Sequence, residues 1–300
     1  MTLSAAVNRL VRPGSSLVMG AGLEAAIPFA AGYEIIRQRR GDLTLIGPIS
    51  DALFDVMILG GVASRIVAAW VGNVGTGIGY NFQRAMDPAA GRPVEMVRHS
   101  NLSVATALDA AGMGLEFGVF RTLLGSDLAA DNPDLVPMDC PFTGEKHLAV
   151  RALKPDLAVI HAQRADVHGN AHLWGNLGIT PEAVRAARQV LVTAEEIVDP
   201  AVIRSDPNRT IVPGFKTAAV VHEPFGAHPS PVMGYYGHDD DFYAEYARAT
   251  RNPDDAVQWL RQWVLEPHFH SAYLDKLGRE RLEALRPKNE RPAAPAEFGF

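Results

Sequence analysis

Two glycine clusters stand where backbone chemistry is plausible. Gly20-Ala21-Gly22 follows the apolar run Ser15 to Met19, and Gly72-Asn73-Val74-Gly75-Thr76-Gly77-Ile78-Gly79 follows the run Arg65 to Trp70. A glycine turn leaving a strand exposes N–H groups at the sheet edge, where they can bind an anion or an oxygen that gains charge. Four glycines in eight residues imply unusual backbone angles or the close approach of a ligand. A third segment, Arg98-His99-Ser100-Asn101, ends the run Val94 to Val97. There an imidazole able to titrate near neutrality precedes two residues that can also cap a following helix. Glu24, inside the first glycine turn, is the acidic residue best placed to act beside it.

Other clusters carry less chemistry. A dinucleotide loop would need a carboxylate ending the second strand, but Ile46-Gly47-Pro48 stands there. His168 and His172 have helical metal-site spacing, yet Gly169-Asn170 between them signals a turn, so a shared helix face and a metal site are not expected. Asp239-Asp240-Asp241 precedes a helical pattern and is read as N-cap and first turn rather than as a cation site. His268 and His270 are expected at the surface or an interface. The single cysteine, Cys140, excludes an intrachain disulfide framework and sits in a loop-like stretch.

These residues need a scaffold, and the pattern supplies one. Strands at Ser15 to Met19, Leu43 to Ile46, Arg65 to Trp70 and Val94 to Val97 alternate with helices at Ile27 to Arg39, Ala52 to Leu59, Phe82 to Met86 and Leu102 to Ala111. Such alternation predicts an α/β fold, an open and mostly parallel sheet with helices on both faces. A break at about 124–146, read as loop or arm, is followed by strands at Leu157 to Ile160, Ala171 to Trp174 and Val190 to Thr193, with a helix from Pro181 to Arg188. One domain over 1–285 with an insertion is therefore expected. It would end in a helical extension with helices at Asp240 to Ala249, Pro253 to Val264 and Arg279 to Leu285, followed by a proline-rich tail, 286–300.

From Ile211 to Tyr243, four prolines and four glycines surround the strand-like run Ala218 to Val221. A long ordered loop is predicted, anchored by Phe225, Tyr235 and Tyr236. With 300 residues, 47% of them hydrophobic, the chain can bury a large core. Its 28 basic and 34 acidic residues show no basic run, so nucleic acid is not an expected partner. No apolar run is long enough to cross a bilayer, and the N-terminus reads as an amphipathic helix; no membrane association and a cytoplasmic location are expected.

Several ordered pieces carry a resemblance. Ile160-His161-Ala162-Gln163, Trp174-Gly175, Glu195-Glu196-Ile197, Ile211-Val212-Pro213-Gly214, Pro224 to Ser230 and the Trp263 to Leu282 pattern resemble the A subunit of glutaconate CoA-transferase and its relatives in the class I CoA-transferase superfamily. The resemblance covers nearly the whole chain. It implies half of a two-subunit enzyme, in an α2β2 or larger hetero-oligomer, that takes coenzyme A and acyl-CoA as substrates and has no tightly bound cofactor. In that family a glutamate on the B (beta) chain attacks the acyl-CoA thioester to give an anhydride, which CoA opens to a glutamyl-CoA thioester. The Ser-Glu-Asn-Gly segment of B-type chains is absent here, so this chain would supply walls and donors.

The acyl-group contacts so implied are Gly20, Ala21, Gly22, Gly75, Thr76, Gly77, His99, Ser100 and Asn101, with Arg98 or Arg121 as a carboxylate clamp. His99 and Glu24 are the only candidates for a catalytic role in this chain. Where many relatives carry acidic or aromatic residues before the serine, this chain has Val97-Arg98-His99-Ser100. The alternatives are an acyl-CoA hydrolase of the same fold, cleaving a thioester or a carbon–carbon bond as in steroid catabolism, and a non-catalytic structural subunit. A sugar-phosphate isomerase is disfavoured, because no Lys/Arg cluster awaits a phosphate.

Overall fold

A computed structural model describes residues 1–89, 91 and 93–287. Along the chain run α1 (Leu3–Leu10), β1 (Ser16–Val18), α2 (Phe29–Arg37), β2 (Leu43–Ile46), α3 (Leu53–Leu59) and β3 (Ala63–Ala68). A small hairpin, β4 (Gly72–Asn73) and β5 (Gly77–Ile78), precedes α4 (Tyr80–Ala85), β6 (Glu95–Arg98) and α5 (Asn101–Gly112). An arm then contributes β7 (Phe117–Phe120), α6 (Asp127–Asp131), β8 (Leu135–Asp139) and β9 (Lys146–Arg151).

The chain returns with β10 (Leu157–Ala165), β11 (Ala171–His172), α7 (Thr180–Ala186), β12 (Gln189–Ile197), α8 (Pro200–Ser205), β13 (Thr210–Val212) and β14 (Thr217–His222). It closes with α9 (Asp240–Ala249), α10 (Pro253–Leu260), which runs into a π-helical turn at Arg261–Leu265, then α11 (His270–Leu277) and α12 (Arg279–Leu285).

Seven strands form a parallel sheet in the order β14, β12, β10, β1, β2, β3, β6, and β11 and β13 add an antiparallel pair beside the far end of β10. Period-two alternation sends successive side chains to opposite faces. Leu17, Leu43, Leu45, Ile66 and Val159 pack with α1, α2, α3 and the C-terminal helices, whereas Val18, Ile46, Val67, Ile160 and Val192 pack with α5 and α7. Both faces are covered, which is why these strands read as continuous apolar runs.

The sheet with helices on both faces matches the sequence reading, and three details correct it. The segment expected as loop or arm holds α6 and β8, and β8 pairs with β9, which pairs with β7, in a separate antiparallel sheet. Its prolines and glycines hid this: Pro137 sits in β8 itself, and β8 pairs only on its β9 side, leaving an edge where a missing N–H costs no ladder bond. Helices α8 and α11 were not anticipated. His270 is buried rather than superficial, donating from Nε2 to Pro224 O at 2.9 Å. The predicted tail lies outside the described residues from position 288 onward.

Of the stretch Ile211 to Tyr243 expected as a long loop around one strand, β13, β14 and the start of α9 are regular structure, and the loop itself, 223–239, is anchored as its aromatics suggested. Phe225 and Tyr236 are buried and stacked with centroids 4.5 Å apart, and Tyr235 leans on Trp174. Asp239 caps α9 through Phe242 N, as the acidic run implied, and also holds His228 Nε2 at 2.9 Å and the Arg281 guanidinium at 2.6 and 2.7 Å.

Candidate active-site crevice

Strand β10 is nine residues long, and its two neighbours on one edge do not meet. β1 pairs with it only at Leu157 and Ala158, and β11 only at Arg164 and Ala165. Between them the edge of β10 has no strand beside it. Here β1 ends and the chain turns away through Gly20-Ala21-Gly22, so a crevice opens at the carboxyl end of the parallel strands, where open α/β sheets bind ligands. It encloses about 140 Å³ and is walled by the glycine turn, Ile160, Gln163, Trp174, Leu177 and Met233, among others.

The glycine turn is held from two sides. Gly20 has a φ of 65°, and a Cβ there would lie 2.8 Å from Ser50 Cβ. On the other side Ile179 N donates to Ala21 O at 2.8 Å, and a Cβ on Gly178 would fall 2.2 Å from the same oxygen. Leu23 and Ala26 also take positive φ, 67° and 53°, a cost that side-chain-bearing residues bear only where packing enforces it. The N–H groups of Gly20, Ala21 and Gly22 meet no acceptor among the described residues. They form a fixed set of open donors beside the crevice.

Behind the crevice a buried network fixes the wall. His161 binds Glu195 Oε1 through Nε2 at 2.6 Å and Thr193 Oγ1 through Nδ1 at 2.9 Å. Tyr236 OH donates to the same Glu195 oxygen at 2.8 Å, and Phe225 N donates to Oε2 at 2.9 Å. Burial alone would raise the Glu195 carboxyl, but the His161 bond and charge and the Phe225 and Tyr236 donors outweigh it and hold the carboxyl below its usual range. With both ring nitrogens engaged, His161 orients the wall and has no free valence for chemistry.

The other residues singled out from sequence lie outside this crevice. Gly75 N, Thr76 N and Thr76 Oγ1 donate to Asn73 Oδ1, so the second glycine cluster spends these donors on its own exposed hairpin. Gly77 belongs to the same tip, and this loop borders a separate small hollow with Asp55 and Tyr246. Ser100 caps α5 in a reciprocal box, accepting from Ser103 N at 3.0 Å while its own N–H donates to Ser103 Oγ at 2.8 Å. Asn101 is the exposed first residue of α5.

His99 is buried at the end of β6. His99 Nδ1 lies 3.0 Å from Ser103 Oγ, and Nε2 has no partner among the described residues. Burial lowers this imidazole to about 4 despite the nearby Asp134 charge, and it is neutral at physiological pH. Arg98 is exposed, and its carbonyl accepts from Asn132 Nδ2 at 2.6 Å. Arg121 lies out on the arm, paired with Glu145 at 2.9 Å. Glu24 is exposed and does not line the crevice; its carbonyl accepts from Ser230 Oγ at 3.3 Å.

β1 and β6 lie three strand spacings apart, about 14 Å. One small acyl group cannot touch both the glycine turn and His99-Ser100. The structure thus brings Gly20, Ala21 and Gly22 into a crevice and leaves the Ser100 region apart from it on the same sheet edge. Gln163, Trp174, Asn176 and Met233 complete the crevice and were not read as site residues; Gln163 and Trp174 stood out only within the family-like pieces.

Residues 1–223 match the family model described as coenzyme A transferase. The chain belongs to the coenzyme A transferase family. It is 38% identical over 264 residues to the A subunit of 3-oxoadipate CoA-transferase from Pseudomonas knackmussii, covering 88% of this chain and 93% of that protein. The A subunit of glutaconate CoA-transferase from Acidaminococcus fermentans is 32% identical, over 95% of this chain and 94% of that protein. The crystal structure of that glutaconate CoA-transferase superposes with a TM-score of 0.89, covering 96% of this chain and 95% of that one at 31% identity. Similarity also extends, at 29% identity over 54% of this chain and 57% of the other, to a cholesterol ring-cleaving hydrolase IpdA subunit of Rhodococcus jostii. Members of this transferase family act on CoA thioesters. No helix among the described residues is long and apolar enough to cross a membrane.

Proposed function

We propose that the chain is the A subunit of a two-component CoA-transferase that moves CoA between a small carboxylic acid and an acyl-CoA, with the attacking glutamate supplied by a B subunit. The observation that carries this reading is the composition of the crevice. Backbone N–H groups without acceptors and apolar walls meet there; among the described residues no Asp, Glu, Ser or Cys lines it, and its one hydroxyl, Thr180, finds no free base in the lining because both nitrogens of His161 are engaged. Such a wall can hold and polarise a thioester but cannot attack one. Similarity to two proteins named as CoA-transferase A subunits, over nearly their full lengths, supports the same division of labour.

In this scheme the partner's carboxylate oxygen attacks the thioester carbon, the C–S bond breaks and CoA leaves as thiolate, giving a mixed anhydride. The thiolate then attacks the glutamyl carbonyl, releasing the first acid and leaving a glutamyl-CoA thioester, and the incoming acid runs the sequence in reverse. Gly20, Ala21 and Gly22 donate to the thioester oxygen as it gains charge, where one such donor contributes about 100-fold or more in rate. His99, Ser100 and Asn101, with Gly75, Thr76 and Gly77 between, contact parts of the substrate beyond the reacting carbonyl. Arg98, exposed at the end of β6, is the cation placed for a distal carboxylate, whereas Arg121 is already paired with Glu145 on the arm. CoA is a substrate here rather than a resident cofactor, and the assembly is an α2β2 or larger hetero-oligomer.

The test compares this chain alone with the co-purified A–B pair, each given acyl-CoA with and without acetate. Transfer is expected only from the pair, dependent on the acceptor, with a CoA adduct on the B chain by mass spectrometry. Turnover by this chain alone, or equal release of free acid by the pair without acceptor, would refute the reading.

A further inference from the structure

Besides the open N–H groups of the glycine turn, the crevice wall holds one buried acceptor that nothing satisfies among the described residues. Gln163 is buried, and its Nε2 donates to Trp174 O at 2.9 Å. A carbonyl can only accept, so this bond fixes which end of the carboxamide is nitrogen. Oε1 is thereby left as an acceptor, and it is buried with no partner among the described residues. A buried acceptor without a donor is destabilising, and a native wall that keeps one is prepared for something that supplies the hydrogen.

The rest of the wall says what that something is. His161 has both nitrogens engaged, and Asn176 Oδ1 accepts from Gly178 N at 3.2 Å. Among the described residues no Lys, Arg, Asp or Glu lines the space, so a charged tail would find no side-chain counter-ion within it. Its volume, about 140 Å³, is close to that of the cavity that holds benzene in an engineered protein, so it admits about six heavy atoms and excludes a pantetheine arm.

We infer that this crevice selects a short, uncharged acyl chain bearing one hydroxyl, and that Gln163 Oε1 is the specificity-determining acceptor for that hydroxyl. The inference rests on the transferase reading and narrows its substrate class. A dicarboxylic acyl group would have to carry its distal charge outside this space, toward Arg98 or the partner.

The test uses the co-purified A–B pair and measures kcat/KM for butyryl-CoA, its 2-, 3- and 4-hydroxy derivatives and glutaryl-CoA, each with acetate as acceptor. Wild type is expected to favour one hydroxy isomer over butyryl-CoA by about tenfold or more, with glutaryl-CoA the poorest. Gln163→Met, of similar volume and without the acceptor, should bring the hydroxy-to-butyryl ratio close to one. Equal rates for all hydroxy isomers and butyryl-CoA in wild type, or a preference for glutaryl-CoA, would overturn the inference while leaving the transferase intact. A ratio unchanged in Gln163→Met would also overturn it. No transfer from any of these thioesters would remove both readings.

Discussion

His270 and His99 are imidazoles kept neutral by burial, each lowered from 6.5 to about 4. On unfolding such a group regains its ordinary affinity and takes up a proton between those two values. The stability it contributes is therefore present above pH 6.5 and is lost as pH falls toward 4. For one such group the loss at pH 5 relative to pH 8 is about 2 kcal/mol. Glu223 and Asp51 are raised by burial, to about 7 and about 6, and tilt stability the other way over the same range, so the comparison must be between variants. His270→Gln keeps a donor for Pro224 O, and its drop in urea-unfolding free energy from pH 8 to pH 5 should be smaller than wild type's by about 2 kcal/mol. Parallel pH profiles would show that His270 titrates normally. Neither burial was legible beforehand, because desolvation depends on neighbours remote in the chain.

At the scale of elements, α5 starts on Ser100, a cap that is also proposed as a substrate contact. Ser100 and Ser103 form the reciprocal box that starts the helix. Ser100→Ala should cost about 1 kcal/mol of stability, whereas Ser100→Gly should cost only a few tenths, since glycine is nearly as good an N-cap. If Ser100 also contacts the acyl-CoA, both variants lose kcat/KM about tenfold or more by the loss of the hydroxyl, although only the alanine form unfolds earlier. Activity that tracks stability across the two would reduce Ser100 to a cap. Here the sequence was informative: the run Val94 to Val97 followed by Ser100 and Asn101 marks a strand, a turn and a helix start within a few residues. The arm was not legible in the same way, because β7, β8 and β9 are held together by pairing across loops, and their turn-forming residues outweigh local strand propensity.

Across the whole molecule, the family match stops at residue 223, and the C-terminal helices beyond it are held by polar groups of the body. Asp51 accepts from Tyr243 OH and from Asn73 Nδ2, while Asp55 accepts from Tyr246 OH, Asn81 Nδ2 and Phe82 N. Both carboxyls are raised by burial, which the surrounding donors only partly offset. Around them Phe242, Tyr246, Trp259, Trp263 and Tyr273 meet edge to face. Tyr246→Phe should cost about 1–3 kcal/mol by removing a donor from a buried acceptor, and Asp55→Ala about as much or more by stranding three donors. Combined, the two should cost less than their sum by at least about 1 kcal/mol in urea unfolding. Strict additivity would mean that the C-terminal helices are not fastened to α3 at this point.

Local physics made much of this protein readable from its sequence: period-two apolar runs for the strands, glycine turns at their ends, and Asp239 as a helix cap, all governed by residues a few positions apart. Long-range register decided the rest. The crevice exists because β10 outruns β1 before β11 joins it, and Gln163 matters because its neighbours there leave one acceptor open. Those contacts join segments far apart in the chain, and neither composition nor spacing records how strands slide past one another.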